Sequence, residues 1–319
     1  MHTATERRAS SLGTFRSIGP LKGGTALPSP YVRRRRLAAE LRKIREDRDL
    51  TADEVGRLVY ASRTKITRLE NGQVRPDLGE IMNILELLGV EGRQYDRLVK
   101  LAREAGQRGW WDRFGDTMGP RQKLYADLED SAETIREYTQ TGMPAILQTP
   151  GFIQAMVELD ALQGPLPYKP ERMAEARARR QRHLLDTDGP IYEAVLDEVM
   201  IRRLDIPPAV MAEQLRHVAA VVSGSERITV RVLQTGTRVP GGFLPKATFS
   251  LYTFQEPGDA PLAVVDNVTA DVVLGKRSEI ARYTGIYGRL QGAALAPEDS
   301  LVFLGLVADQ LSEQTGSEA

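Results

Sequence analysis

"SRTKITRLENGQVRP", Ser62 to Pro76, sets a helix signal and a charge pattern side by side. Ser62 stands where an N-cap belongs, because its hydroxyl can accept from a first-turn N–H that has no partner inside the helix. Ile66 and Leu69 share one face, and Asn71-Gly72 closes the segment. Arg63, Lys65 and Arg68 crowd the other side of this short rod. Such a face is either ordinarily solvated or shaped to meet a polyanion, and the flanking sequence has to decide.

Upstream, Thr51 precedes Glu54 by three residues, the spacing of a capping box. Val55, Leu58 and Val59 give that short helix an inner side before a break at Tyr60-Ala61. Two short helices across a tight turn make a helix-turn-helix unit. In that unit the second helix enters the major groove and offers its N-terminal residues to base edges. Arg63, Thr64 and Arg68 are therefore the base-reading candidates, with Lys65 reaching a base or a phosphate. The chemistry fits: arginine can hold guanine O6 and N7 with two hydrogen bonds, and threonine can donate a hydroxyl or touch a thymine methyl. Thr51 and Ser62, at helix N-termini that attract phosphate, are phosphate candidates together with Thr67, Asn71 and Arg75, the last just past the turn. The run Arg33, Arg34, Arg35 and Arg36 is a further one, as a basic arm along the duplex or a solvated flank.

Around this pair the apolar spacing predicts three more helices. Leu37, Leu41 and Ile44 mark a first one from Tyr31, and Leu78, Ile81, Leu85 and Leu88 a fourth that stops at Gly89. Tyr95, Leu98 and Ala102 mark a fifth over 92–106. The expected organisation is a disordered leader over 1–30, an all-α five-helix helix-turn-helix domain over 31–106 and a junction over 107–120. An α+β domain with a small mixed sheet follows over 121–311, and a disordered tail over 312–319. In the second domain "PIYEAVL", "RITVRVL", "TFSLYTF" and "LAVVDN" read as strands. A helix near 207–222 would serve as a βαβ crossover between the first two. "YADLEDSAETIREYTQ" reads as helical throughout, as do 170–186 and 270–292. The tryptophan pair Trp110-Trp111 suits packing where two domains meet. "RARRQRH" (Arg177, Arg179, Arg180, Arg182) reads as a solvated helix face balanced by Glu171 and Glu175, with a second anion site as the alternative.

Net charge is zero over 319 residues, yet the charges are not evenly spread. Residues 1–110 hold 22 Lys and Arg against 14 Asp and Glu, and the remainder holds 21 against 29. A basic front and an acidic back suit a chain whose first domain meets a polyanion. No cysteine is present, which excludes disulfides and thiolate zinc sites and suits a reducing compartment. His2, His183 and His217 are too scattered to point to a histidine metal site or a Ser-His-Asp triad. No apolar run reaches the roughly 18 residues of a membrane span, and no apolar signal core is apparent.

From Leu41 to Val90, "LRKIREDRDLTADEVGRLVYASRTKITRLENGQVRP…IMNILELLGV" resembles the phage-repressor-like (XRE, or Cro/CI type) DNA-binding domains. The resemblance implies that Arg45 pairs with Glu70, making Glu70 an internal tether. The chain departs from the pattern at Tyr60, where glycine is usual and a positive φ would strain any other residue. From Trp110 to Leu311 the chain resembles the second domain of actinobacterial antitoxin-like (WhiJ-like) regulators, through "YADLEDSAETIREY", "MPAILQTPGFIQAM", "RARRQRHLL", "LDEVMIRR" and "QLRHVAA". Ala145 and Asp266 differ from the residues common there.

Together these imply a cytoplasmic, nucleoid-associated transcription regulator without enzymatic activity or cofactor. Its partners would be double-stranded DNA, a second copy in a homodimer, and a small partner protein encoded nearby or a small-molecule effector. Two alternatives stand. A DNA-targeted metal-dependent enzyme would draw on carboxylates such as Asp197, Glu198 and Asp266. An interaction scaffold would carry a non-functional head.

Overall fold

The computed structural model describes residues 28–166, 168–203, 206–242, 246–267 and 270–317. Most of the expected leader and the last two residues of the expected tail lie outside these.

Five helices build the first domain: α1 (Pro30–Glu46), α2 (Ala52–Leu58), α3 (Arg63–Glu70), α4 (Leu78–Leu87) and α5 (Gly92–Ala105). Their apolar faces converge on one core of Leu37, Leu41, Ile66, Ile81, Leu85 and Leu98, with Val55 and Leu69 beside them. Two backbone features set the α2–α3 turn. Gly56 lies so close to the turn that a Cβ there would sit 2.7 Å from the Ala61 carbonyl oxygen, a clash with backbone. Tyr60 takes φ +56°, the left-handed conformation foreseen for this position, and its side chain is wholly exposed. The turn therefore keeps its shape at the expense of local strain, about 1–2 kcal/mol for a non-glycine residue.

After two 3₁₀ segments separated by a kink at Gly115 within Trp110–Thr117, the second domain begins with α6 (Pro120–Ser131). It continues as β1 (Ala132–Thr139), α7 (Pro150–Leu162), α8 (Pro170–Leu184), β2 (Ile191–Asp197), α9 (Glu198–Arg203) and α10 (Pro208–Ser223). Then come β3 (Ile228–Leu233), β4 (Phe249–Phe254), β5 (Leu262–Val265), β6 (Val272–Leu274), α11 (Arg277–Ala293) and α12 (Pro297–Ser317). The sheet order is β3-β2-β1-β4-β5-β6, parallel from β3 to β1 and antiparallel from β1 to β6. It is the mixed sheet expected, and α10 forms the crossover between parallel β2 and β3. One face packs Ile135, Tyr192, Val230, Tyr252 and Val264 under α7, α10 and α12. The other packs Tyr138, Val195, Phe249 and Leu251 under α11. Among the described residues no single helix is long and apolar enough to cross a membrane.

Four expectations are corrected. "AETIREYT" forms β1 and not the end of a helix: Ile135 and Tyr138 are buried on opposite faces of the sheet, and pairing with β2 and β4 outweighs local helix preference. The stretch 270–292 begins as strand β6, with the helix starting at Arg277. The tail expected from 312 continues α12 to Ser317, a helix whose preceding turns bury Leu304, Val307 and Ala308 in the core of the sheet domain. Ser29 and Pro30, assigned to the leader, are buried at the start of α1.

The start of α1 also ties the domains together. Val32 belongs to the core of the sheet domain, whereas Leu37, Leu41 and Ile44 on the same helix belong to the helical core. Asp127 of α6 accepts from the Ser29 hydroxyl and lies 3.3 Å from the Tyr31 amide, so α6 caps α1 across the boundary. Trp111 is buried with Phe114, Met118, Ala126 and Ala176, so it packs the junction onto α6 and α8 of the second domain and not the two domains onto each other.

Candidate nucleic-acid interface

Capping explains why α2 and α3 start where they do. Thr51 and Glu54 form the full box: the Thr51 N–H and hydroxyl both reach Glu54 Oε2 at 2.7 Å, and the Glu54 amide donates to Thr51 Oγ1 at 3.2 Å. The Ser62 hydroxyl accepts from the Lys65 amide at 3.2 Å. Ile66 and Leu69 are then buried, and Ser62, Arg63, Thr64, Lys65, Thr67 and Arg68 are all exposed on the opposite side. The base-reading candidates thus share one open edge of α3.

Their surroundings differ in a way that matters for DNA. Neither Arg63 nor Arg68 forms an ion pair among the described residues, whereas Lys65 Nζ sits 2.8 Å from Glu80 Oε1. Arg75 is held 3.0 Å from Asp112, and Asn71 Oδ1 accepts from Arg42 at 2.6 Å. Thr51 is exposed, but its donors already serve its own box. Ser62, Thr64, Lys65, Arg68, Arg75 and Glu80 border a concavity of about 530 Å³ between α3 and the start of α4.

Behind the edge, Glu70 is only 7% exposed and accepts from Arg45 through both oxygens, at 2.7 and 2.9 Å. This is the pair that the resemblance implied. Arg45 also donates to the Leu50 carbonyl at 2.7 Å, and Arg42 to the Glu70 carbonyl at 3.1 Å. The bidentate clamp fixes the pitch of α3 against α1. Gly72, at φ +66°, ends α3 against the backbone of Arg34 and Arg35.

The arginine run is not an arm. All four residues lie inside α1, and Arg33 is 5% exposed, 3.1 Å from Glu104 and 3.2 Å from Asp259. Arg36 lies 3.3 Å from the same Asp259 oxygen. Burial lowers the Arg34 pKa, opposed by the nearby Asp127 carboxylate. These arginines therefore face the second domain and its loop between β4 and β5, and charge alone could not distinguish that role from a phosphate contact. Asp127 and Asp259, the acids that receive them, carry no local sequence signal; their partners lie far away along the chain.

"RARRQRH" is likewise less solvated than expected. Arg180 is buried and bidentate with Glu129 at 2.6 Å, and Arg179 sits over the Trp110 ring. The carboxylates named for an enzyme are engaged elsewhere: Asp197 accepts from Tyr138, Glu198 pairs with Arg202, and Asp266 pairs with Arg121. Among the described residues no group of three or more acids and histidines could hold a metal ion.

The fold and the exposed edge define a helix-turn-helix protein with an appended sheet domain. The comparisons agree: residues 36–98 match a helix-turn-helix domain model. Residues 122–305, more than half the chain, match the family described as domain of unknown function (DUF5753), and the chain belongs to that family. No curated protein and no solved structure matches it.

Proposed function

We propose that the protein is a sequence-specific DNA-binding transcription regulator whose second domain receives a small partner protein or effector. The observation that carries this is the outward edge of α3, where Arg63, Thr64 and Arg68 stand exposed and the two arginines form no ion pair among the described residues. A major groove supplies what such an edge lacks, base acceptors flanked by phosphate. Lys65 and Arg75 would exchange Glu80 and Asp112 for phosphate on binding, so they add affinity more than sequence choice. Arg33 to Arg36 are assigned to domain docking and removed from the phosphate set. A homodimer reading half-sites about 34 Å apart fits the motif's usual geometry. Action inside the cell at the nucleoid, without catalysis, follows from the same reading.

Support for a regulatory second domain comes from α1, whose two ends lie in two cores. The test is selection of sheared genomic DNA by the purified full chain at about 150 mM salt. One enriched motif with a salt-dependent affinity is expected. Recovery of fragments with no shared motif would remove the reading and favour the scaffold.

A further inference from the structure

A cavity of about 370 Å³ opens where the C-terminal end of β1 meets α6, α8 and the 142–146 turn. That volume is in the lower part of the range of small-molecule sites, about 300–1,000 Å³. Its apolar wall includes Met143, Ile146, Met156 and Tyr252, and its rim includes exposed Arg121 and Thr141. Most of its charges are already matched. Arg180 is clamped by Glu129 and also donates to Gln122 at 2.9 Å, and Arg121 is paired with Asp266.

Two lining residues, Glu137 and Arg177, form no ion pair among the described residues, although opposite charges lie further off. Glu137 accepts only from the Tyr192 hydroxyl, at 2.7 Å, among the described residues. Burial pushes its carboxyl up to about 7, with the Tyr192 bond and Arg180 pulling the other way. Its side chain nevertheless keeps partial exposure, so it faces the cavity and not the packed core. Arg177 donates to Gln148, but its Nε is buried with no hydrogen-bond partner. Burial brings Arg177 down to about 10, with Arg180 adding to the fall. The charges felt by Glu137 are those of Glu129, Arg180 and Asp266, while Arg177 feels Arg180, Tyr168 and Asp160. Neither residue neutralises the other.

We infer that this cavity binds a small zwitterion of the amino-acid class, its ammonium against Glu137 and its carboxylate against Arg177. The inference rests on the regulator reading for its purpose, since it names the effector of that second domain. A zwitterion gives each unmatched charge its counter-ion, and the apolar wall takes the remainder of the molecule. An occupant here would also bear on the first domain. Arg121, Gln122, Tyr125 and Glu129 of α6 line the cavity, and Asp127 of the same helix caps α1.

The experiment is calorimetric titration of the full chain with the twenty free L-amino acids, and with the amide and N-acetyl derivatives of each binder. At least one free acid is expected to bind, with each derivative at least about tenfold weaker, because each leaves a buried charge unpaired. Glu137→Gln and Arg177→Gln should weaken the same acid by a similar factor while leaving affinity for the selected DNA motif, measured without the acid, unchanged. If Arg177→Gln alters the circular dichroism spectrum, Arg177→Lys, which keeps the charge but loses the planar fork, takes its place. No binding by any acid, or undiminished binding in both variants, overturns the inference. Acid binding without DNA motif selection would keep the cavity and remove the regulator; motif selection without acid binding would do the reverse.

Discussion

Replacing Glu70 by Leu takes away the carboxylate that holds α3 in pitch. The lost contacts are two charge-assisted hydrogen bonds from Arg45, at 2.7 and 2.9 Å, and a longer ion pair with half-exposed Arg42 at 3.8 Å, in a site where Glu70 is almost fully enclosed. Breaking one side of a buried pair costs about 3–5 kcal/mol. Arg45 is less enclosed than its partner and keeps its bond to the Leu50 carbonyl, so about 2–3 kcal/mol is expected here. A chain with two cores need not unfold in one step, so the assay is native-state hydrogen exchange on peptides covering α2 and α3. Their opening equilibrium should rise roughly 30- to 150-fold, following from about 1.4 kcal/mol per factor of ten. The double variant Arg45→Leu/Glu70→Leu should recover part of the loss, because no lone buried charge remains. Exchange of residues 63–71 at the unmodified rate, or a double variant as damaged as the sum of the singles, would refute the clamp.

Other expectations rest on single sites. Asp127, buried at the boundary, has its pKa pushed up to about 7 by desolvation, against the opposing Ser29 bond. A raised carboxyl gives stability that is full below the ordinary value near 4 and lost as pH climbs through 7. Asp127→Asn should therefore flatten the fall in melting temperature between pH 5 and 8; an unchanged slope would exclude Asp127 as its source. Asp259→Ala leaves Arg33 with Glu104 and the more distant, exposed Glu256 and should cost about 2–3 kcal/mol of domain docking. It would be seen as earlier proteolysis between the domains, and wild-type resistance would count against the clasp. Tyr60→Gly relieves the positive φ without losing a packed side chain. After the entropy gained by the unfolded chain, it should stabilise the first domain by roughly 0.5 kcal/mol in denaturant; destabilisation would mean that the exposed ring has an unrecognised contact.

What could be read from the sequence was local. Thr51 with Glu54, Ser62 with the Lys65 amide, and the Ile66–Leu69 spacing are settled within one turn of helix, so the exposed edge of α3 was legible in advance. Strain at Tyr60 was foreseen only through the resemblance, which places glycine at that turn. The misreadings came from long-range partners. Four consecutive arginines look alike until Asp259, 223 residues beyond Arg36, arrives beside them. "AETIREYT" contains good helix formers, and only the flanking strands make Ile135 and Tyr138 into opposite faces of a sheet. Glu137 and Arg177 sit on different elements, and no spacing rule brings them to one cavity.

The central claim is that α3 reads bases through its open edge. Affinity of the Arg68→Ala variant for the selected motif and for every single-base variant of it tests this most directly. A loss of discrimination at one base pair, worth about 1–3 kcal/mol, with the other positions still read, is the predicted result. An equal loss on every sequence, or none at all, would contradict it.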